Sequence, residues 1–187
     1  MNFSRATNYL RMVLARIDTA QITQFIEALL DARTRGITIF FIGNGGSAAT
    51  ASYLADDIAT GTAVYTQPFR AVSLTDNVPV LGAIGNEFGY QDVFVRPLRV
   101  LGRKGDVVVA ISASGNSSNV VSALEYAASA GIKTVAVTAF DGGHMKRMAD
   151  LSVHVPTEPK EYGPAEDAHM MLDHLVGAYQ MRYVRAV

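Results

Sequence analysis

The sequence predicts an α/β fold: a mostly parallel sheet covered by helices on both faces. Short β-rich runs are apolar along their whole length instead of alternating, as expected of strands buried on both sides. Helical patterns separate these runs, and strands that take turns with helices form parallel sheets. Two of the runs also end alike. "IFFIGNGGSAAT" and "VVVAISASGNSSNV" each read as a strand, a small polar corner and the start of a helix.

The elements follow in order. Residues 5–34 read as two amphipathic helices, the first around Tyr9, Leu10, Val13 and Leu14. In the second, Ile22, Phe25, Ile26, Leu29 and Leu30 recur at helix spacing, with Asp18 or Thr19 as the cap. Such helices cover a sheet or pack on another subunit. "ITIFFI" (37–42) is a strand, with a helix from the following corner to about Gly61. "FRAVSL" (69–74) is the next strand and "VPVLGAIG" a helix. "DVVVAIS" (106–112) leads to a helix over "NVVSALEYAASAG" that ends at Gly131. "KTVAVTA" (133–139) and "LSVHVP" (151–156) complete the strands, and a last helix runs from about Glu166 to the end. "PTEPKEYGP" (156–164) is the most loop-like segment and a candidate for ordering on binding. No linker or low-complexity stretch divides the chain, so one domain is expected over residues 1–187.

With 187 residues, 49% of them hydrophobic, the chain is long enough for one full core. Sixteen basic and 17 acidic residues leave a net charge of −1, which gives no general attraction to nucleic acid or an anionic membrane. Cysteine is absent, which excludes disulfides and thiolate zinc sites. Arg5, Arg11, Arg16 and Asp18 break up the N-terminal segment, which therefore lacks the apolar core of a signal peptide. A soluble cytoplasmic protein is expected.

The two corners carry the chemistry. At the end of a parallel strand, backbone N–H groups of the turn and of the next helix's first turn converge on a point suited to an anion. Gly45 and Gly46 permit close approach, and Ser47 adds a hydroxyl. The second corner offers Ser112, Ser114, Ser117 and Ser118 around Gly115 and Asn116, with Ala113 in the same bend. Either corner alone reads as an ordinary turn with serine as helix cap. Together, behind two strands of one sheet, they point to a phosphate held by neutral donors. The glycine patterns of dinucleotide and Walker sites are absent.

The ordered set "GNGGSAA", "SLTDN", "AIGNEFGY", "GDVVVAISASGNSSNV", "TAFDGG" and "EDAHMMLDHL" resembles the sugar isomerase (SIS) family, most closely its phosphoheptose isomerase branch. The resemblance spans nearly the whole chain. It implies a flavodoxin-like five-stranded parallel sheet and a homotetramer with active sites at subunit interfaces. It places a phosphate on Ser112, Ser114 and Ser117, with Ser47 from the first corner, and sets Asn44, Asn86 and Glu87 along the sugar. Glu87 stands where the family usually has aspartate.

The catalytic positions depart further. Where the family has histidine and, four residues on, glutamate, this chain has Tyr53 and Asp57. Where it has glutamine and, eight on, histidine, this chain has Glu166 and His174. In several relatives these four positions bind zinc, so the resemblance implies a divalent metal on Asp57, Glu166 and His174, with Tyr53 a further candidate. Tyr53 and Asp57 share a helix face. Glu166 and His174 lie roughly 12 Å apart along an ideal helix, so they bracket one centre with long side chains or serve two sites across an oligomer. Asp57 and His174 are the right types to move a proton between sugar carbons. His169, Asp167 and Asp173 read as supporting or solvating residues, and His144 and His154 as structural.

The activity implied is isomerisation of sedoheptulose 7-phosphate to a mannoheptose 7-phosphate for surface polysaccharide, with Asp57 as base and His174 as partner acid/base. The alternatives are a non-catalytic SIS module that binds sugar phosphate or assembles a protein partner, as a relative associated with the bacterial replication initiator does, and an isomerase of a shorter sugar phosphate.

Overall fold

The computed structural model describes residues 3–63 and 66–186. Two helices lead the chain: α1 (Phe3–Ala15) and α2 (Thr19–Arg35). Asp18 caps α2 by accepting from the Ala20 N–H at 2.9 Å, and Gly36, at φ 64°, ends it. The alternation then begins with β1 (Thr38–Gly43), α3 (Gly45–Thr62), β2 (Arg70–Ser73) and α4 (Val78–Glu87). A 3-10 turn (Tyr90–Asp92) and α5 (Val95–Leu101) precede β3 (Val107–Ser112). The chain closes with α6 (Ser118–Ser129), β4 (Lys133–Thr138), α7 (Gly143–Met148), β5 (Leu151–His154) and α8 (Tyr162–Ala186).

The five strands are all parallel, in the order β2-β1-β3-β4-β5. Successive side chains of a strand point to opposite faces, and each strand feeds two cores. Ile39, Phe41, Val107, Val109 and Ile111 pack with α2, α3 and α8 through Leu29, Leu54, Ile58 and Leu172. Phe40, Ile42, Val108 and Ala110 pack with α5 and α6 through Leu98, Val120 and Leu124. Residues such as Phe41 and Leu29 are wholly buried, each worth about 1.5–3 kcal/mol of transfer free energy. This double demand explains why the strands are apolar without alternation.

The topology fixes where a ligand goes. From β1 the chain moves to one side to form β2, then crosses to the other side for β3. The carboxyl ends of β1 and β3 therefore flank the switch point, the crevice where open parallel sheets bind ligands. Both glycine-serine corners lie there.

Helices α3 and α8 run side by side in the same direction. Gly46 faces Glu166, Asp57 faces Gly177, and Gly61 faces Met181. A Cβ on Gly61 would stand 2.8 Å from the Met181 sulfur, so glycine allows the close approach there.

Several boundaries differ from the sequence expectation. The last helix starts at Tyr162, four residues earlier than expected, with Pro164 accommodated in its first turn. The final residue, Val187, lies outside the described residues. The loop before α8 is correspondingly shorter, and β5 ends at His154. Helices α5 and α7 were not anticipated. No helix among the described residues is long and apolar enough to cross a membrane.

Candidate functional site

The two corners meet around a cavity of about 120 Å³, well above the roughly 10–15 Å³ that one water requires. Its walls are Asn44, Ser47, Ile111, Ser112, Ala113, Ser114 and Ser117, closed by Tyr162 and Glu166 from the start of α8. No lysine or arginine is among them. Donors to an anion here are hydroxyls and the N–H groups that the first turns of α3 and α6 leave without helical partners.

Each donor is positioned by its own element. Gly45 adopts φ 54°, and a Cβ there would meet nothing within 4 Å, so its backbone is open to a ligand. Ser47 and Ser112 are buried, and the Ser112 and Ser117 hydroxyls lie 3.3 Å apart. Ser117 occupies the N-cap of α6 without spending its side chain on a cap hydrogen bond. Its hydroxyl is left for the cavity. Ser114 Oγ accepts from the Asn116 N–H at 3.3 Å.

The serine bend is braced from outside. The His144 N–H donates to Asn116 Oδ1 at 2.9 Å, and the Met145 N–H donates to the Gly115 carbonyl at 3.0 Å. The bend therefore rests on the "FDGG" turn. In that turn Phe140 holds φ 54° and packs edge-on against Tyr162, with ring centroids 5.1 Å apart. Backbone strain of this kind concentrates where a site must be held in place.

A pair of amides ties one corner to the other. Asn44 Nδ2 donates to Asn119 Oδ1 and Asn119 Nδ2 donates to Asn44 Oδ1, each at 2.9 Å. The Tyr90 hydroxyl donates to the same Asn44 oxygen at 2.9 Å. Asn119, Tyr90 and Tyr162 were not singled out from the sequence. Asn86 and Glu87, expected along the sugar, lie at the exposed end of α4 and do not line the cavity in the single chain.

Further along α3, a second group gathers. Donor atoms of Asp57, Asp173 and His174 all lie within 4.8 Å of one another. Asp57 is half-buried, His174 is exposed, and Asp173 is only 1% exposed. Burial, with the Asp57 carboxylate beside it, pushes the Asp173 carboxyl up to about 7. Tyr53, 53% exposed, meets His174 edge-on at a centroid distance of 6.3 Å. His169, one turn before Asp173, is almost fully buried, and burial holds its imidazole down at about 4.

A family model described as "SIS domain" matches residues 3–139. Phosphoheptose isomerase from Akkermansia muciniphila is 38% identical over 155 residues, covering 83% of this chain and 81% of that protein. The Geobacter sulfurreducens phosphoheptose isomerase is 36% identical over 172 residues, covering 92% and 90%. The chain belongs to the SIS domain family, in its phosphoheptose isomerase branch. The fold agrees: the structure of a phosphoheptose isomerase from Neisseria gonorrhoeae superposes with a TM-score of 0.84 at 30% identity, over 98% of this chain and 95% of that one.

Within this SIS chain the four positions that the resemblance assigns to a metal do not surround one point. Asp57 and His174 converge and Tyr53 stands beside them, but Glu166 is elsewhere. Its carboxylate occupies the space over Gly46, at the start of α3, where a Cβ on that glycine would collide with it. Eleven residues of α3, roughly 16 Å at 1.5 Å per residue, separate that place from Asp57. A phosphate in the SIS cavity shares its walls with Glu166. The residue that does join Asp57 and His174 is Asp173, expected to support or solvate; its burial excludes the solvating role and leaves the supporting one.

Proposed function

We propose that the protein isomerises a seven-carbon sugar phosphate, sedoheptulose 7-phosphate to a mannoheptose 7-phosphate, for heptose units of surface polysaccharide. The observation that carries this reading is the pairing of a cation-free serine cavity at the switch point with an acid/base pair, Asp57 on α3 and His174 on the adjacent α8. Gly46, Tyr53 and Asp57 follow one another at intervals of seven and four residues, so they fall on one face of α3. The seven-carbon length follows the phosphoheptose isomerase relatives. Roughly 16 Å of helix separates the first corner from Asp57, more than an extended C7 sugar phosphate spans, so in this reading the Asp57 that acts on a bound sugar belongs to a neighbouring copy.

In this reading, Asp57 removes the proton from the carbon beside the carbonyl, and the electron pair left behind forms an enediol. The proton returns to the neighbouring carbon. His174, on the solvent side of Asp57, passes protons to and from the two oxygens. Ser112, Ser114, Ser117 and Ser47 hold the phosphate still, which keeps the reacting carbons in register with Asp57.

The chain is proposed to act as a homo-oligomer, with four copies as the family resemblance implies. Met171, Leu175, Tyr179 and Tyr183 recur every fourth residue on α8 and are 40–62% exposed. With Tyr53 they form an apolar face beside Asp57 and His174, the kind of patch that marks a protein interface.

The test is an aldose–ketose assay on purified protein across C5 to C7 sugar phosphates, run at the oligomeric state found by light scattering. Turnover is expected to be highest with the C7 substrate. Retained phosphate binding without turnover on any of them would instead support a non-catalytic sugar-phosphate module.

A further inference from the structure

The amides of Asn44 and Asn119 face each other, and two facing amides bond equally well when both are turned over. One fixed donor breaks that symmetry. The Val120 backbone N–H, shared with the Ser117 carbonyl, donates to Asn119 Oδ1 at 3.0 Å. A backbone N–H cannot accept, so the oxygen of the Asn119 amide must lie on that side. Asn119 Nδ2 then donates to Asn44 Oδ1, and Asn44 Nδ2 donates to Asn119 Oδ1. The Tyr90 hydroxyl brings a second donor to Asn44 Oδ1 at 2.9 Å. Both lone pairs of that oxygen are thereby spent. One hydrogen of Asn44 Nδ2 is left without a partner among the described residues. Asn44 is the N-cap of α3 yet spends its side chain on no cap hydrogen bond, and it walls the cavity with Ser47 and Ser117.

The Tyr90 hydroxyl is held although the residue is 62% exposed in the single chain. Gly89, at φ 94° and ψ 155°, starts the 3-10 turn in a conformation that is essentially open to glycine alone. Arg96 Nε donates to Asp92 at 2.7 Å, and its guanidinium stands 3.5 Å over the centre of the Phe88 ring. Arg96 therefore clamps the chain on both sides of Tyr90.

We propose that Tyr90 and Asn119 are positioning residues that lock the Asn44 amide so that it offers the ligand an N–H and never an oxygen. Serine hydroxyls donate or accept as a ligand requires, so they do not by themselves reject a donor. A locked N–H does. It favours a phosphate dianion, whose oxygens only accept, and no lysine or arginine of the cavity wall shares that task. The proposal rests on the sugar-phosphate reading for its ligand, but binding needs no turnover.

The experiment is calorimetric titration of inorganic phosphate into the protein in its native oligomeric state, for wild type, Tyr90→Phe, Asn44→Ala and the double variant. Tyr90→Phe removes the hydroxyl alone and should weaken phosphate about three- to tenfold, and Asn44→Ala at least about tenfold. Because Tyr90 acts through Asn44, adding Tyr90→Phe to Asn44→Ala should cost less than about twofold more. In steady-state kinetics with a sugar phosphate, Tyr90→Phe should raise KM by about the factor seen for phosphate and leave kcat within about twofold. Asn119→Ala should weaken phosphate too, but at a position 2% exposed it also lowers the melting temperature, so exposed Tyr90 carries the test. Full additivity in the double variant, unchanged phosphate affinity in Tyr90→Phe, or no phosphate uptake by wild type would overturn the proposal. A coupled loss of phosphate affinity in a protein that turns over no sugar phosphate would support the lock and remove the isomerase reading, so the two fail separately.

Discussion

Asp57→Asn is expected to lower kcat by about 10²–10⁴, the usual contribution of a positioned general base. The substitution keeps the shape and removes the ability to take a proton. Asp57 is half-buried and faces Gly177 across the α3–α8 contact, where a Cβ would sit 3.6 Å from its Oδ2, so an isosteric amide fits the same space. The phosphate cavity lies about eleven residues away along α3, and its walls do not include Asp57. Affinity for the sugar phosphate should therefore change little while turnover collapses. Steady-state kinetics with a direct binding measurement separate the two effects. Turnover within tenfold of wild type would remove Asp57 from the base role.

Gly115→Ala is expected to damage both the fold and the phosphate site. Gly115 holds φ 63°, a left-handed conformation that costs an L-residue roughly 1–2 kcal/mol. The larger cost is steric. An added Cβ would stand 2.1 Å from the Gly142 carbonyl oxygen and 2.7 Å from its carbon, both backbone atoms that cannot swing aside. The serine bend or the "FDGG" turn must then move, and the hydrogen bonds from His144 and Met145 that join them are lost. Each kcal/mol lost lowers the melting temperature by about 2–4 °C in a chain of this size. Phosphate affinity should fall by more than about tenfold, because the bend carries Ser112, Ser114 and Ser117 together. An unchanged melting temperature with unchanged phosphate binding would show that the bend is not braced as described.

The strands and both corners were legible because each is a local pattern: an apolar run, then glycine and serine, then a helix start. Helices α5 and α7 were not, since they bury only two residues each, Val95 and Leu98 in one and Gly143 and Met145 in the other. Two buried positions make no readable period. Asn119 escaped notice because its partner, Asn44, is 75 residues away, and nothing local distinguishes it from the serines around it. Asp173 is a different kind of miss. Ala165, Ala168, His169, Leu172, Val176 and Gln180 are buried at helix spacing, and Asp173 lies on that stripe. The periodicity was available, but Asp173 was read only as a supporting or solvating residue. The placement of Glu166 over Gly46 depends on α8 lying alongside α3, which no local pattern reports.

The claim on which the rest depends is that neutral groups of two bends grip the phosphate. A crystal structure with sedoheptulose 7-phosphate tests it most directly. The phosphate oxygens should lie at hydrogen-bond distance, roughly 2.6–3.2 Å, from the hydroxyls of Ser114 and Ser117 and the first N–H groups of α3, with no lysine or arginine of the same chain in contact. A phosphate bound elsewhere on a basic side chain, with both bends empty, would contradict the account.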